Sequence, residues 1–145
     1  MSDLLFNGSI WCNIDLALSH IEAIYKQDVE PLGLNVVEWY IMRSLYEKDG
    51  QMPTRLAEGV GRAATSFTPI LDKVQNKGLI ERRQHTGDRR AVRIYLTEQG
   101  RALEEPIKAS VERVEHKLQR YIKKSGWQAF QKVVLVLQDI EPQAE

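Results

Sequence analysis

The sequence predicts a mainly helical fold with one small β-hairpin, and three features carry that expectation. Over most of the 145 residues, apolar side chains recur every three or four positions, the period of a helix with one buried stripe. Between Leu56 and Asn76, Ala57, Gly61 and Phe67 supply a small contact residue, a turn glycine and an apolar anchor, at the spacing of two short helices meeting at a corner. From Leu79 the period falls to two. Leu79 and Ile80, then Val92, Ile94 and Leu96, flank the turn chemistry of Thr86-Gly87-Asp88. A helix-turn-helix followed by an arginine-tipped hairpin is a winged helix.

The opening helix is expected to start behind Ser9 as N-cap and to carry Ile10, Trp11, Ile14, Ala17, Leu18, Ile21, Ile24 and Tyr25. It should fade near Val29 to Pro31, because proline disfavours helix in the residue before it. Asn35 followed by Glu38 is a capping-box pattern for a second helix reaching toward Asp49-Gly50. Pro53 opens a third, to Val60, at a position where its missing N–H costs little. The fourth, roughly Thr65 to Asn76, ends at Lys77-Gly78 and turns Phe67, Ile70, Leu71 and Val74 to the core. Pro69 suits this helix if Thr65 or Ser66 is its cap, whereas a start at Ala63 predicts a kink. Thr97 is read as the cap of a long helix with Leu103, Ile107, Val111, Val114, Leu118, Tyr121 and Ile122 on one side, bent by Pro106 around Ala102 to Glu105. Ser125 is read as the cap of a last helix carrying Trp127, Phe130, Val133, Val134, Leu137 and Ile140.

Length and composition fit one unit over residues 1–145, with the winged helix at about 35–97 and outer helices at about 9–30 and 98–141. A winged-helix core is complete without a terminal helix pair, so the outer helices ask for another partner, most simply a second copy. The longest apolar run, Val133 to Leu137, is far short of a membrane span, and no basic region precedes an apolar stretch at the N-terminus. A soluble, cytoplasmic protein with no membrane partner is expected. Its single cysteine, Cys12, excludes an internal disulfide. No glycine-rich phosphate loop, H-E-x-x-H, G-x-S-x-G or paired-cysteine motif is present, which argues against an enzyme. His20 and His116, with Glu22 or Glu115 beside them, have no ligand spacing, so neither metal nor cofactor is expected.

The formal net charge is zero, but its distribution is uneven. Residues 55–93 hold 9 Lys and Arg against 4 Asp and Glu, while residues 1–54 hold 3 against 8 and residues 94–145 hold 8 against 8. The positive excess coincides with the helix-turn-helix and hairpin, as a DNA-facing surface requires. Arg62, Thr65, Ser66, Thr68, Pro69 and Lys73 fall on or near the outer face of the fourth helix, where its first turns would meet base edges. Arg82, Arg83 and His85 lie along the hairpin, His85 where it can approach a phosphate, and Arg89 and Arg90 at the tip can reach into a minor groove. Asp88 is read as the carboxylate that orients the tip by paired hydrogen bonds to a guanidinium.

Together LAEGVG, NKGLIERR, GDRRAV and YLTEQG resemble the MarR (multiple antibiotic resistance regulator) family of winged-helix transcription factors, and the likeness spans nearly the whole chain. Two departures stand out: Ala63 or Ala64 replaces a frequent capping Ser or Asp, and Pro69 replaces a polar residue. The resemblance implies an intertwined homodimer, a D-x-R pairing carried by Asp88 and Arg90, and an acid effector bound where the outer helices meet the winged helix. Trp11, His20, Tyr25, Trp39, Tyr40 and Arg43 are the candidates for that pocket, aromatic walls with one cation that suit a small aromatic or phenolic acid. The expected function is a ligand-responsive repressor holding a pseudo-palindromic double-stranded DNA operator. The alternative within regulation is a thiol redox switch at Cys12, in the first turns of a helix where the dipole lowers a thiol's pKa. The alternative from another class is a winged helix that binds protein and no DNA.

Overall fold

A computed structural model describes residues 3–140, apart from the side chains of Arg89 and Arg90; the expected helix end at residue 141 lies outside them. The elements are α1 (Ile10–Val29), α2 (Val36–Glu47), α3 (Pro53–Gly59), α4 (Ala64–Asn76), β1 (Ile80–His85), β2 (Asp88–Leu96), α5 (Glu98–Ala102), α6 (Glu104–Tyr121) and α7 (Lys124–Gln138). Mainly helical, with one antiparallel hairpin, this is the winged-helix arrangement that the periodicity predicts.

Several boundaries follow from local chemistry. Ser9 caps α1, its side chain accepting from the Cys12 N–H. Past Val29 the chain tightens into a 3-10 turn containing Pro31. Asn35 and Glu38 form the reciprocal capping box of α2, each 2.9 Å from the other's backbone N–H. Helix α2 stops at Glu47, short of Asp49, because the Gln51 amide donates to the carbonyls of Ser44 and Lys48 and closes its end. Gly61, at φ +65°, makes the left-handed corner between α3 and α4 that a Cβ would resist. Thr97 accepts from the Gly100 N–H and caps α5, and the run to Tyr121 breaks at Leu103, where Pro106 cannot donate back to Ala102.

Three expectations are corrected. Neither Thr65 nor Ser66 caps α4; Ala63 does so with no side-chain bond, and Ser66 is already inside, its hydroxyl donating to the Ala63 carbonyl. Pro69 therefore sits in the helix interior, leaving the Thr65 carbonyl without its usual donor, yet Ala64–Asn76 runs as one element. Ser125 is likewise inside α7, which starts at Lys124 behind Lys123. The hairpin turn is Thr86-Gly87 alone, with Asp88 already paired to His85 as the first residue of β2.

The core gathers Trp39, Ile41, Met42 and Leu45 of α2, Leu56 and Ala57 of α3, and Phe67, Leu71 and Val74 of α4 beneath Ile80, Ile94 and Leu96 of the hairpin. Helix α4 closes in a Schellman motif, Gly78 N–H to Gln75 O and Leu79 N–H to Val74 O, which delivers Leu79 to a tight seam. There Thr97 donates through its N–H to Leu79 O (3.1 Å) and through Oγ1 to Gly78 O (2.6 Å), while the Tyr46 hydroxyl donates to Gly100 O. A Cβ on Gly100 would lie 2.1 Å from Leu79 O, so only glycine lets α5 approach. A bridge between Gln51 and Ile94 ties the hairpin base to the segment after α2.

Gly100→Ala is therefore expected to cost about 2–4 kcal/mol, since its close neighbour is backbone that cannot swing aside. Gly59→Ala, which meets only Ser44 Oγ at 3.9 Å, serves as the control and should be neutral or slightly stabilising. Thermal melts of the two variants would check this; equal melting temperatures would contradict it.

Candidate nucleic-acid interface

The helix-turn-helix presents a bare face. Arg62, Thr65, Ser66, Thr68, Pro69, Asp72 and Lys73 are all exposed, while Phe67, Leu71 and Val74 on the opposite side are buried. The C-terminal end of α4 is pinned from behind. Lys77 Nζ donates to Glu38 Oε2 at 2.6 Å and to Gly33 O at 2.7 Å, and Glu38 is itself only 2% exposed. The capping box of α2 thus also holds the C-terminus of α4, a double use of one carboxylate that no local spacing signals.

The wing divides its arginines. Arg82 donates to Asp72 Oδ1 (2.6 Å) and Gln75 Oε1 (2.7 Å) of α4; Arg83 pairs with Glu81 and lies 4.7 Å from the Tyr95 ring centre. Both are engaged within the chain, whereas the sequence reading set both toward DNA. His85 is exposed, and its Nδ1 accepts the Gly87 N–H at 3.2 Å, so it braces the turn. Register runs evenly from Ile80↔Leu96 to Gln84↔Val92 and then jumps to His85↔Asp88, so β2 bulges through residues 89–91 at the tip. The side chains of Arg89 and Arg90, on which the minor-groove expectation rests, lie outside the described residues. Asp88 is exposed.

The six expected pocket residues separate. Trp39 is fully buried in the core, its Nε1 donating to Ser110 Oγ at 3.0 Å and its ring edge-on to Tyr25. Arg43 stacks 4.9 Å from the Trp39 ring and lines a groove with Tyr46, Ile107 and Lys108. Trp11 is 79% exposed and His20 is exposed, neither lining a cavity with the others. Tyr25 and Tyr40 do share a cavity of about 440 Å³, walled by Leu18 and Ile21 of α1, Val37 of α2, Leu118 of α6, and Trp127 and Phe130 of α7. Its one cation is Arg62, from the corner before α4, with Glu22 and Glu115 the acids. Nothing in the sequence marked Arg62 for this place, because the corner folds back over a distance that no periodicity records.

Comparison with known proteins bears on this geometry. The MarR family model matches residues 34–92, from the start of α2 through the wing. Residues 34–92 form a MarR-family domain. A solved MarR family transcription regulator is 26% identical, with TM-score 0.75 over 86% of this chain and 82% of that one. The transcriptional repressor CouR, solved bound to a 23-mer DNA duplex, is 22% identical with TM-score 0.85, covering 94% and 99%. BpsR of Bordetella bronchiseptica, whose DNA binding is regulated by 6-hydroxynicotinic acid, is 16% identical with TM-score 0.86, covering 97% and 100%. The last two show the fold. The MarR match and the shared fold support a DNA-binding transcriptional regulator.

Two of the outer helices, α1 and α6, meet at a polar joint beside the MarR domain. Asp28, 8% exposed at the end of α1, accepts from Arg113 Nε at 2.9 Å and Lys117 Nζ at 2.5 Å, both on α6. Burial pushes its carboxyl up, but the hydrogen bonds from Lys117 and Arg113 outweigh that and hold it below the usual carboxylate value. In the cavity, burial first and the neighbouring Tyr40 second raise the Tyr25 phenol, and burial raises that of Tyr40 against the pull of Arg43. Both phenols stay protonated at neutral pH and can donate. Among the described residues no helix is long and apolar enough to cross a membrane.

Because the folded-state pKa of Asp28 is depressed, its contribution is complete above the unfolded value near about 4 and is lost as pH falls through the folded value. Asp28→Asn should cost about 1–2 kcal/mol at pH 7, the half-exposed cations reducing what a fully buried pair would lose. Denaturant melts from pH 7 to pH 2 should bring wild type and variant together at the acid end; a gap that stays constant would refute the pairing.

Proposed function

We propose that the chain is a homodimeric repressor that binds a pseudo-palindromic duplex through two copies of α4 and the wing, and that a small aromatic acid releases it. The observation that carries this reading is the apolar surface left on the outer helices beside a bare α4. Helix α7 has no buried residue, and Ile10, Trp11 and Leu18 of α1 are 63%, 79% and 59% exposed, with Val133, Leu135 and Val136 of α7 at 54%, 60% and 66%. A surface of this kind in water calls for a partner, and a second copy supplies a matching one. Two recognition helices related by a two-fold axis then read half-sites about 10 bp, one helical turn, apart.

The cavity beside Tyr25, Tyr40 and Arg62 supports the ligand part of the reading. Its walls belong to α1, α6 and α7 and to α2 and the α3–α4 corner, so a molecule filling it acts on the spacing between the two recognition helices. Aromatic and apolar walls suit an aromatic ring, and the Arg62 guanidinium, the cation among the lining carboxylates Glu22 and Glu115, is the group that can pair with an acid on it. A protein of the same fold has its DNA binding regulated by such an acid. Arg62 takes the part that the sequence reading gave to Arg43, which is occupied on the Trp39 ring. A ligand that favours the DNA-free state by about 1.4 kcal/mol shifts release tenfold.

Tryptophan fluorescence of the free protein, titrated with salicylate, tests the site without DNA. Arg62→Gln should weaken binding by about tenfold, the loss of one charge-assisted bond, while Arg43→Gln and Cys12→Ser leave it unchanged. Duplex release by an organic hydroperoxide alone, abolished in Cys12→Ser, would replace this reading with the redox one.

A further inference from the structure

We propose that Arg82 is a positioning residue for DNA recognition: its guanidinium grips two acceptors on α4 and fixes the pitch of the wing, instead of contacting phosphate. Arg82 is the third residue of β1, opposite the fully buried Ile94, well back from the tip. Its two terminal nitrogens each have one acceptor, Asp72 Oδ1 at 2.6 Å and Gln75 Oε1 at 2.7 Å. Those acceptors are three residues apart on α4 and so lie one above the other on the same face. The planar guanidinium meets each acceptor with a separate nitrogen in a fixed fork, whereas an ammonium would have to reach both from a single nitrogen.

Charge and leverage favour the same role. An acid on the exposed face of a recognition helix repels DNA, and Arg82, at 27% exposure against 54% for Asp72, neutralises it. The pair as a unit carries no net charge, so it adds no attraction to the backbone. The ribbon is held at the Leu79 seam and, on its β2 side, by the bridge from Ile94 N to Gln51 O. Arg82, paired opposite Ile94, ties the β1 side to α4, so the wing is clamped from both strands at one level, which lowers the ordering cost of binding.

The inference rests on the DNA-binding reading, and the experiment separates the two. The probes are the duplex that the wild-type protein recovers from a random-sequence pool and a shuffled duplex of equal length, with affinities measured across a salt series. Arg82→Gln is expected to weaken the recovered duplex by about fivefold, the worth of a well-formed surface pair, with the shuffled duplex and the slope of log K on log salt unchanged. Asp72→Asn should weaken it alike, although removing an acid would otherwise help DNA binding, and the double variant should be no weaker than either single one. Arg82→Lys keeps the charge but cannot fork, so it should behave as Arg82→Gln does; it also decides the matter if the Gln variant melts early. A slope reduced by about one unit in Arg82→Gln, with Arg82→Lys like wild type and Asp72→Asn tighter, would make Arg82 a phosphate contact and overturn the proposal. Failure of the wild-type protein to recover any duplex would overturn the DNA-binding reading, and this one with it.

Discussion

The close approach of Gly100 to the Leu79 carbonyl is the constraint on which the rest of the molecule depends. Leu79 ends the Schellman closure of α4, opens the hairpin, and receives the N–H of Thr97 where the hairpin exits. The recognition helix, the wing and α5 therefore share one seam, and Tyr46 of α2 fastens it from the core side through Gly100 O. Burial holds the Tyr46 phenol above its ordinary value, so it remains a donor there at every working pH. A reading face has to be left bare, so its rigidity must come from behind. This seam and the Lys77–Glu38 pair supply it.

The parts of the fold legible in the sequence were those set within four or five residues. Asn35 with Glu38, Gly61, Thr97 and Pro106 act on their own backbone neighbours, and each marks a boundary where the spacing predicts one. The uncapped start of α4 at Ala63 was not legible, because packing of Phe67 and Leu71 holds a helix whose first turn lacks a capping side chain and whose interior contains Pro69. Ser125 had the chemistry of a cap but lies two residues past the cap position, which Lys123 holds.

The candidate site divides along the same line. Exposure of Thr65, Ser66, Thr68 and Lys73 follows from helical period alone, which the sequence carries. The partners of long side chains do not. That Arg82 and Arg83 have Asp72, Gln75, Glu81 and Tyr95 beside them is not written in any local spacing. Trp39 and Arg43 satisfy each other in and over the core, and the cavity cation is Arg62, brought to Tyr40 by the corner between α3 and α4. That same corner opens the recognition helix. In the proposed mechanism an acid held by Arg62 therefore acts on the element that enters the groove, and the two ligands compete through one backbone turn.

In the proposed assembly two copies, joined through α1 and α7, engage one duplex. Light scattering of the complex with a duplex recovered from a random pool measures this without assuming any contact. Two chains on one duplex are expected, and the same dimer without DNA at micromolar concentration. A complex of one chain per duplex, formed by a protein that is monomeric alone, would contradict it.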